Sequence, residues 1–141
     1  MSDHPRVRAN VVFVCAHGAA KSVIARERFL EAARRLNLDV TAVARGIDAD
    51  AEVPAHVQAG LRESGIAGPF APPVNLHDDD LHAATHVVAF DQPEVGDRAR
   101  AAGTTCEAWN GAPAVSDGYD AAAAHIEARV VDLARRLAAA D

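Results

Sequence analysis

The chain has 141 residues, half of them hydrophobic, which is enough for one domain spanning 1–141 with its own core and too little for two. Its 20 acidic and 14 basic residues give a formal charge of -6, which repels polyanions and argues against nucleic acid or an anionic membrane as partner. Any anion it binds has to be small and locally held.

The opening MSDHPRVR is polar and lacks the apolar core of a signal peptide, and no stretch approaches the roughly 18 apolar residues of a membrane span. A soluble, cytoplasmic protein is expected. Its two cysteines, Cys15 and Cys106, lie far apart, so a reactive thiol is a better expectation than a disulfide scaffold.

Residues 10–14 (NVVFV) read as a buried strand, and 23–36 as a helix with Ile24, Phe29, Ala33 and Leu36 near helical spacing. A second strand follows at 40–44 and ends at Arg45-Gly46. Pro54 suits the start of a helix running through Leu61, which Gly65 stops. Residues 68–75, with three prolines, read as an extended surface connection. Asp78, Asp79 and Asp80 then precede a short helix, where carboxylates suit the positive end of the dipole; capping is favoured over metal binding. His77, His82 and His86 are read in the same way, as side chains that hold no metal. Residues 85–90 form a third strand, 93–103 a helix and 104–109 a fourth strand. The loop 110–120 leads into a last helix carrying Ile126, Val130, Leu133 and Leu137. Strands separated by helices imply a parallel sheet covered on both faces, a small doubly wound α/β domain.

In such sheets ligands bind beyond the carboxyl ends of the strands. Cys15 stands at one. The following loop of Ala16, His17, Gly18, Ala19 and Ala20 has only one bulky side chain, so its N–H groups can curl around an anion, and the next helix adds its positive end. That field favours thiolate over thiol. Lys21 adds a full charge, and Ser22 can donate its hydroxyl to the sulfur. The plainer alternative is that Cys15 is a small buried hydrophobe at a strand end.

The stretch CAHGAAKS resembles the catalytic loop of the low-molecular-weight protein tyrosine phosphatases and of the arsenate reductases related to them: Cys, five residues, Arg, then Ser or Thr. Its Cys-x-His-x-Ala spelling is similar to the loop of some bacterial arsenate reductases. ARGI, at 44–47, resembles the turn after that family's second strand, and residues 78–91 resemble its acidic-start helix and third strand. WNGAPAVSDGYD, at 109–120, resembles the loop that carries its general acid.

The resemblance implies a three-layer sandwich with strand order 2-1-3-4 and a hydrolase of phosphate monoesters acting through a cysteinyl-phosphate. Cys15 would be the nucleophile, Asp117 the general acid, Tyr119 a substrate-binding ring, and residues 16–20 the phosphate cradle. No metal or cofactor is implied. The partners would be phosphate, sulfate or arsenate in the loop, and a phosphorylated protein or small phosphate ester as substrate. Taken without the resemblance, Asp117 reads as a turn or capping residue beside Gly118.

The chain departs from that pattern in ways that matter chemically. Lys21 replaces the arginine and cannot grip two oxygens at once, which predicts slow turnover. Gly18 replaces a loop asparagine, which predicts a looser loop. Asp48, Asp50 and Glu52 stand where an aromatic wall is often found, which counts against phosphotyrosine, and His17 is read as structural. An arsenate reductase would need an external small thiol, since no further cysteine follows the third strand and Cys106 reads as buried and inert. A catalytically weak binder of oxyanions or phosphoproteins is the third reading.

Overall fold

A computed structural model describes residues 9–140; the polar opening stretch 1–8 lies outside the described residues. Strand β1 (Ala9–Cys15) is apolar and buried at every position from Val11 to Cys15, because both its faces are covered there. Val11 and Phe13 face one core, and Val12 and Val14 face the other. Strands β2 (Val40–Gly46), β3 (His86–Ala89) and β4 (Thr105–Ala108) complete an all-parallel sheet in the order β2-β1-β3-β4. This is the predicted α/β sandwich.

Helices α1 (Lys21–Arg35), α2 (Ala55–Glu63) and α5 (Tyr119–Ala139) cover the first face with Ile24, Phe29, Val57, Leu61, Ile126, Val130 and Leu133. Phe13 meets Phe29 edge-on, with centroids 5.7 Å apart, and Trp109 at 6.0 Å. Helices α3 (Asp78–Ala83) and α4 (Pro93–Ala101) cover the second face with Leu81, Val95 and Ala99. Among the described residues no helix is long and apolar enough to cross a membrane.

The elements differ from expectation mainly at their ends. Helix α1 starts two residues early, at Lys21, and stops at Arg35, so Leu36 is a C-cap residue that stays 41% exposed. Strand β3 is shorter than predicted, although the Phe90 N–H still donates to the Val14 carbonyl at 2.8 Å. The loop before α5 contains a short 3-10 turn, Val115–Asp117. The proline-rich segment runs beside the end of β2: the Gly46 N–H donates to the Val74 carbonyl (2.9 Å), and the Leu76 N–H to the Gly46 carbonyl (2.8 Å).

Two of the three aspartates of the triplet have structural partners. Asp80 accepts from the His77 N–H at 3.0 Å and from Arg45 Nε at 3.0 Å, and Asp78 accepts from Arg98 at 3.1 Å. Among the described residues no three His, Cys, Asp or Glu side chains group into a metal site.

His86 opens β3 with Nδ1 2.9 Å from the Thr85 hydroxyl. Burial holds its imidazole below the usual histidine range; Glu107 opposes this and Arg136 adds to it. The folded state therefore takes up the proton less readily than the unfolded chain, so this group's contribution is present above the unfolded value of about 6.5 and is lost as the pH falls below it. Urea midpoints measured downward from neutral pH should fall with acidity, and less steeply in His86→Gln; an unchanged slope would exclude His86 as the cause.

Candidate active site

Strand β1 delivers Cys15 to the carboxyl edge of the sheet, in register with Gly46 of β2. The carbonyls of Cys15, Ala16 and His17 accept from the N–H groups of Ile47, Asp48 and Asp50 at 3.2, 2.8 and 3.1 Å. Among the described residues, none of the N–H groups of residues 16–20 donates to a main-chain carbonyl. With its carbonyls engaged on one side, the loop keeps its donors for the other.

Gly18 makes this curl possible. It lies at φ +62, and a Cβ there would come within 2.7 Å of the Gly46 nitrogen. Helix α1 then begins without a side-chain cap and without an acidic residue in its first turn. Its first N–H groups have no side-chain cap and lie at the positive end of the helix dipole.

Below the loop, Cys15 Sγ lies 3.0 Å from Ser22 Oγ. Cys15 is 7% exposed, and Ser22, fully buried, is the only buried polar side chain among the described residues. A buried hydroxyl needs a partner, and the sulfur is the one it has. Lys21 Nζ sits 3.4 Å from Asp91 Oδ2. Asp91 follows β3 at φ +57; its N–H donates to Asn110 Oδ1 at 3.1 Å, and its Oδ1 accepts from the Gly111 N–H at 3.4 Å. His17 Nδ1 lies 3.0 Å from the Asp48 carbonyl and 3.7 Å from the Asp50 carboxylate. A carbonyl only accepts, so Nδ1 carries the proton.

These groups surround a cleft of about 300 Å³. Cys15, Ala16, His17, Ala19, Ala20 and Lys21 line it, with Asp50, His56, Phe90, Asp91, Gln92 and residues 114–116 closing the sides. Ser22 lies beneath. Gly18 faces a neighbouring hollow under the proline-rich segment.

Two further residues expected at the site are not on the lining of this cleft. Asp117 is exposed on the 3-10 turn, one residue beyond the lining, which ends at Ser116. Tyr119 begins α5 with its ring over Gly60, where a Cβ would fall 2.4 Å from the ring, and its hydroxyl is buried. Burial pushes the phenol above its ordinary range. Cys106 is half-buried on β4, and burial raises its thiol as well.

Asp91, His56 and Gln92 were not anticipated as site residues. The position of Asp91 beyond β3 was the available signal, because ligand crevices open at strand ends. Lys21 also stands out, being the only lysine in a chain with 13 arginines.

The chain matches no protein-family model and no curated protein. Its fold is that of several solved structures. The YwlE arginine phosphatase from Geobacillus stearothermophilus superposes with TM-score 0.77 at 23% identity, over 92% of this chain and 92% of that one. A low-molecular-weight protein tyrosine phosphatase from Bacillus subtilis gives 0.77 at 19% identity, over 91% and 96%. The thioredoxin-dependent arsenate reductase from Corynebacterium glutamicum gives 0.74 at 21% identity, over 99% of this chain and 66% of that one. The chain therefore has the fold shared by these phosphatases and arsenate reductases, with the strand order 2-1-3-4.

Proposed function

We propose that the chain is a cysteine-dependent hydrolase of phosphate monoesters. The observation that carries this reading is the contact of Cys15 Sγ with the buried Ser22 hydroxyl, at the floor of a cleft walled by unused backbone N–H groups. Cys15 thiolate attacks phosphorus in line, forming an S–P bond while the P–O bond to the leaving group breaks. The N–H cradle and Lys21 stabilise the equatorial oxygens. Ser22 donates to the sulfur when it carries charge and so supports it as nucleophile and as leaving group.

Asp117 protonates the departing oxygen and then takes a proton from the water that hydrolyses the cysteinyl-phosphate. Its exposed side chain stands one residue beyond the lining at Ser116, at the rim from which it reaches the leaving group. The substrate is a small phosphate ester or a phosphorylated protein side chain. Tyr119 is turned onto Gly60, and the aromatic side chain that remains on the lining, Phe90, is buried. Both facts disfavour recognition of a phosphotyrosine ring.

The small side chains of Ala16, Ala19 and Ala20 beside Cys15, with no exposed Phe, Tyr or Trp ring on the lining, also favour a second reading, reduction of arsenate. Cys15 thiolate would displace hydroxide from arsenate. An external small thiol would then attack the Cys15 sulfur, so that arsenite leaves with the electron pair, and a second such thiol would restore Cys15 from the mixed disulfide. Cys106, across β3 from β1, is not placed to take that role.

The deciding experiment is aryl phosphate hydrolysis between about pH 5 and 8, with Cys15→Ser as the blank. The wild type is expected to exceed the blank, and Asp117→Asn to fall by about 10²-fold or more. A wild type equal to the blank sinks the hydrolase reading. Arsenite production with small thiols would then support the second.

A further inference from the structure

The geometry points to Asp91 as a specificity-determining residue that makes the cleft prefer singly charged, protonated tetrahedral oxyanions over dianions. The inference rests on the anion-site reading above and extends it to the ionic form of the ligand.

Lys21 is the only Lys or Arg side chain on the cleft lining, and its ammonium already has a partner in Asp91 at 3.4 Å. Of the two, Asp91 is the anchored one: its backbone bonds to the Asn110 side chain, and its other carboxylate oxygen holds the Gly111 N–H. The lysine reaches it on a flexible four-carbon stem.

An incoming anion therefore meets a cation that a fixed carboxylate has largely neutralised. Asp50 adds a second negative charge to the wall. The remaining titratable groups facing the cleft are Cys15 and His17 from the β1 edge and His56 from α2. The N–H cradle holds any tetrahedral oxyanion, but every further negative charge on the ligand is opposed by Asp91 and Asp50, with one shared lysine to offset it. A proton on the ligand removes that repulsion. It also supplies an O–H donor, for which Asp91, whose side chain is 49% exposed, is an acceptor.

The test is titration calorimetry of the wild-type protein with inorganic phosphate and with sulfate, at about pH 5.5 and pH 8. Inorganic phosphate takes its second charge near neutral pH, about one pH unit above a phosphate ester, whereas sulfate stays dianionic from the lower pH to the higher. Sulfate is thus the control for any pH-dependent change in the protein itself.

Phosphate is expected to bind at least about tenfold more tightly than sulfate at the lower pH, and to lose that advantage at the higher one. Asp91→Asn should raise sulfate affinity about tenfold and narrow the gap. Sulfate binding the wild type as tightly as phosphate at pH 5.5 overturns the inference, and because that comparison needs no variant it stands even if Asp91→Asn unsettles the 110–111 loop. Cys15-dependent turnover together with a dianion preference would remove this inference and leave the hydrolase reading intact; no binding of either anion would remove the anion site itself.

Discussion

Lys21→Arg is expected to raise aryl phosphate turnover by about 10²-fold, the scale on which one well-aimed donor counts in such a site. Lysine is a single point of charge, and Asp91 holds it at 3.4 Å. It cannot satisfy that carboxylate and two equatorial oxygens together. A guanidinium carries five donors in a planar fork, so one edge can keep Asp91 while the other grips the phosphoryl group. The gain should appear in kcat more than in KM, because the extra prong matters most where charge develops on the transferring group. Cys15→Ser in the arginine background should return the rate to the blank. Equal or slower turnover in Lys21→Arg would mean that the lysine is suited to this site for another reason, and the expectation of slow catalysis would fall with it.

Gly46→Ala should damage both stability and the anion site, although residue 46 carries no side chain to either. A Cβ at that position would lie 2.6 Å from the Gly18 nitrogen and 2.6 Å from the His17 carbonyl carbon. Both are backbone atoms of the cradle, so the loop or the end of β2 must move. Overpacking of this kind costs roughly 1–3 kcal/mol, and the displaced N–H groups should weaken phosphate binding about tenfold or more. Gly96→Ala is the control. It sits in α4 with only the Arg100 guanidinium 3.7 Å away, and removing a helical glycine there should stabilise by about 0.5–1 kcal/mol. Urea denaturation and phosphate calorimetry on both variants give the comparison. A Gly46→Ala protein with wild-type affinity would show that the loop has room that the close approach denies.

The alternation of strands and helices was legible because β1 is apolar at every position from Val11 to Val14, the mark of a strand covered on both faces. The position of the loop was legible too, being a local pattern: a strand end, small residues and a helix start within a few positions. Leu36 was misread as part of the α1 apolar stripe, since periodicity does not show where a helix caps. The partners that complete the site were not legible, because they are distant in the chain.

Asp91 meets Lys21 across 70 residues. Tyr119 turns away because Gly60, on another helix, leaves room for its ring. The N–H groups of the segment after β2, which hold the carbonyls of Cys15, Ala16 and His17, likewise lie far along the chain from them. Gly46 read as a strand terminator, whereas its lack of a Cβ lets the cradle lie against β2.

The cleft draws its walls from four separate stretches of chain: the loop after β1, Asp50, Pro54 and His56 after β2, residues 90–92 after β3 and residues 114–116 before α5. A ligand that binds only the assembled cleft raises global stability in proportion to the logarithm of its excess over Kd, by about 2.7 kcal/mol at a hundredfold excess. The melting temperature of the protein is thus a gauge of what occupies the cleft. Oxyanions, phosphate esters and phosphopeptides can be ranked by heating alone, before any reaction has been identified.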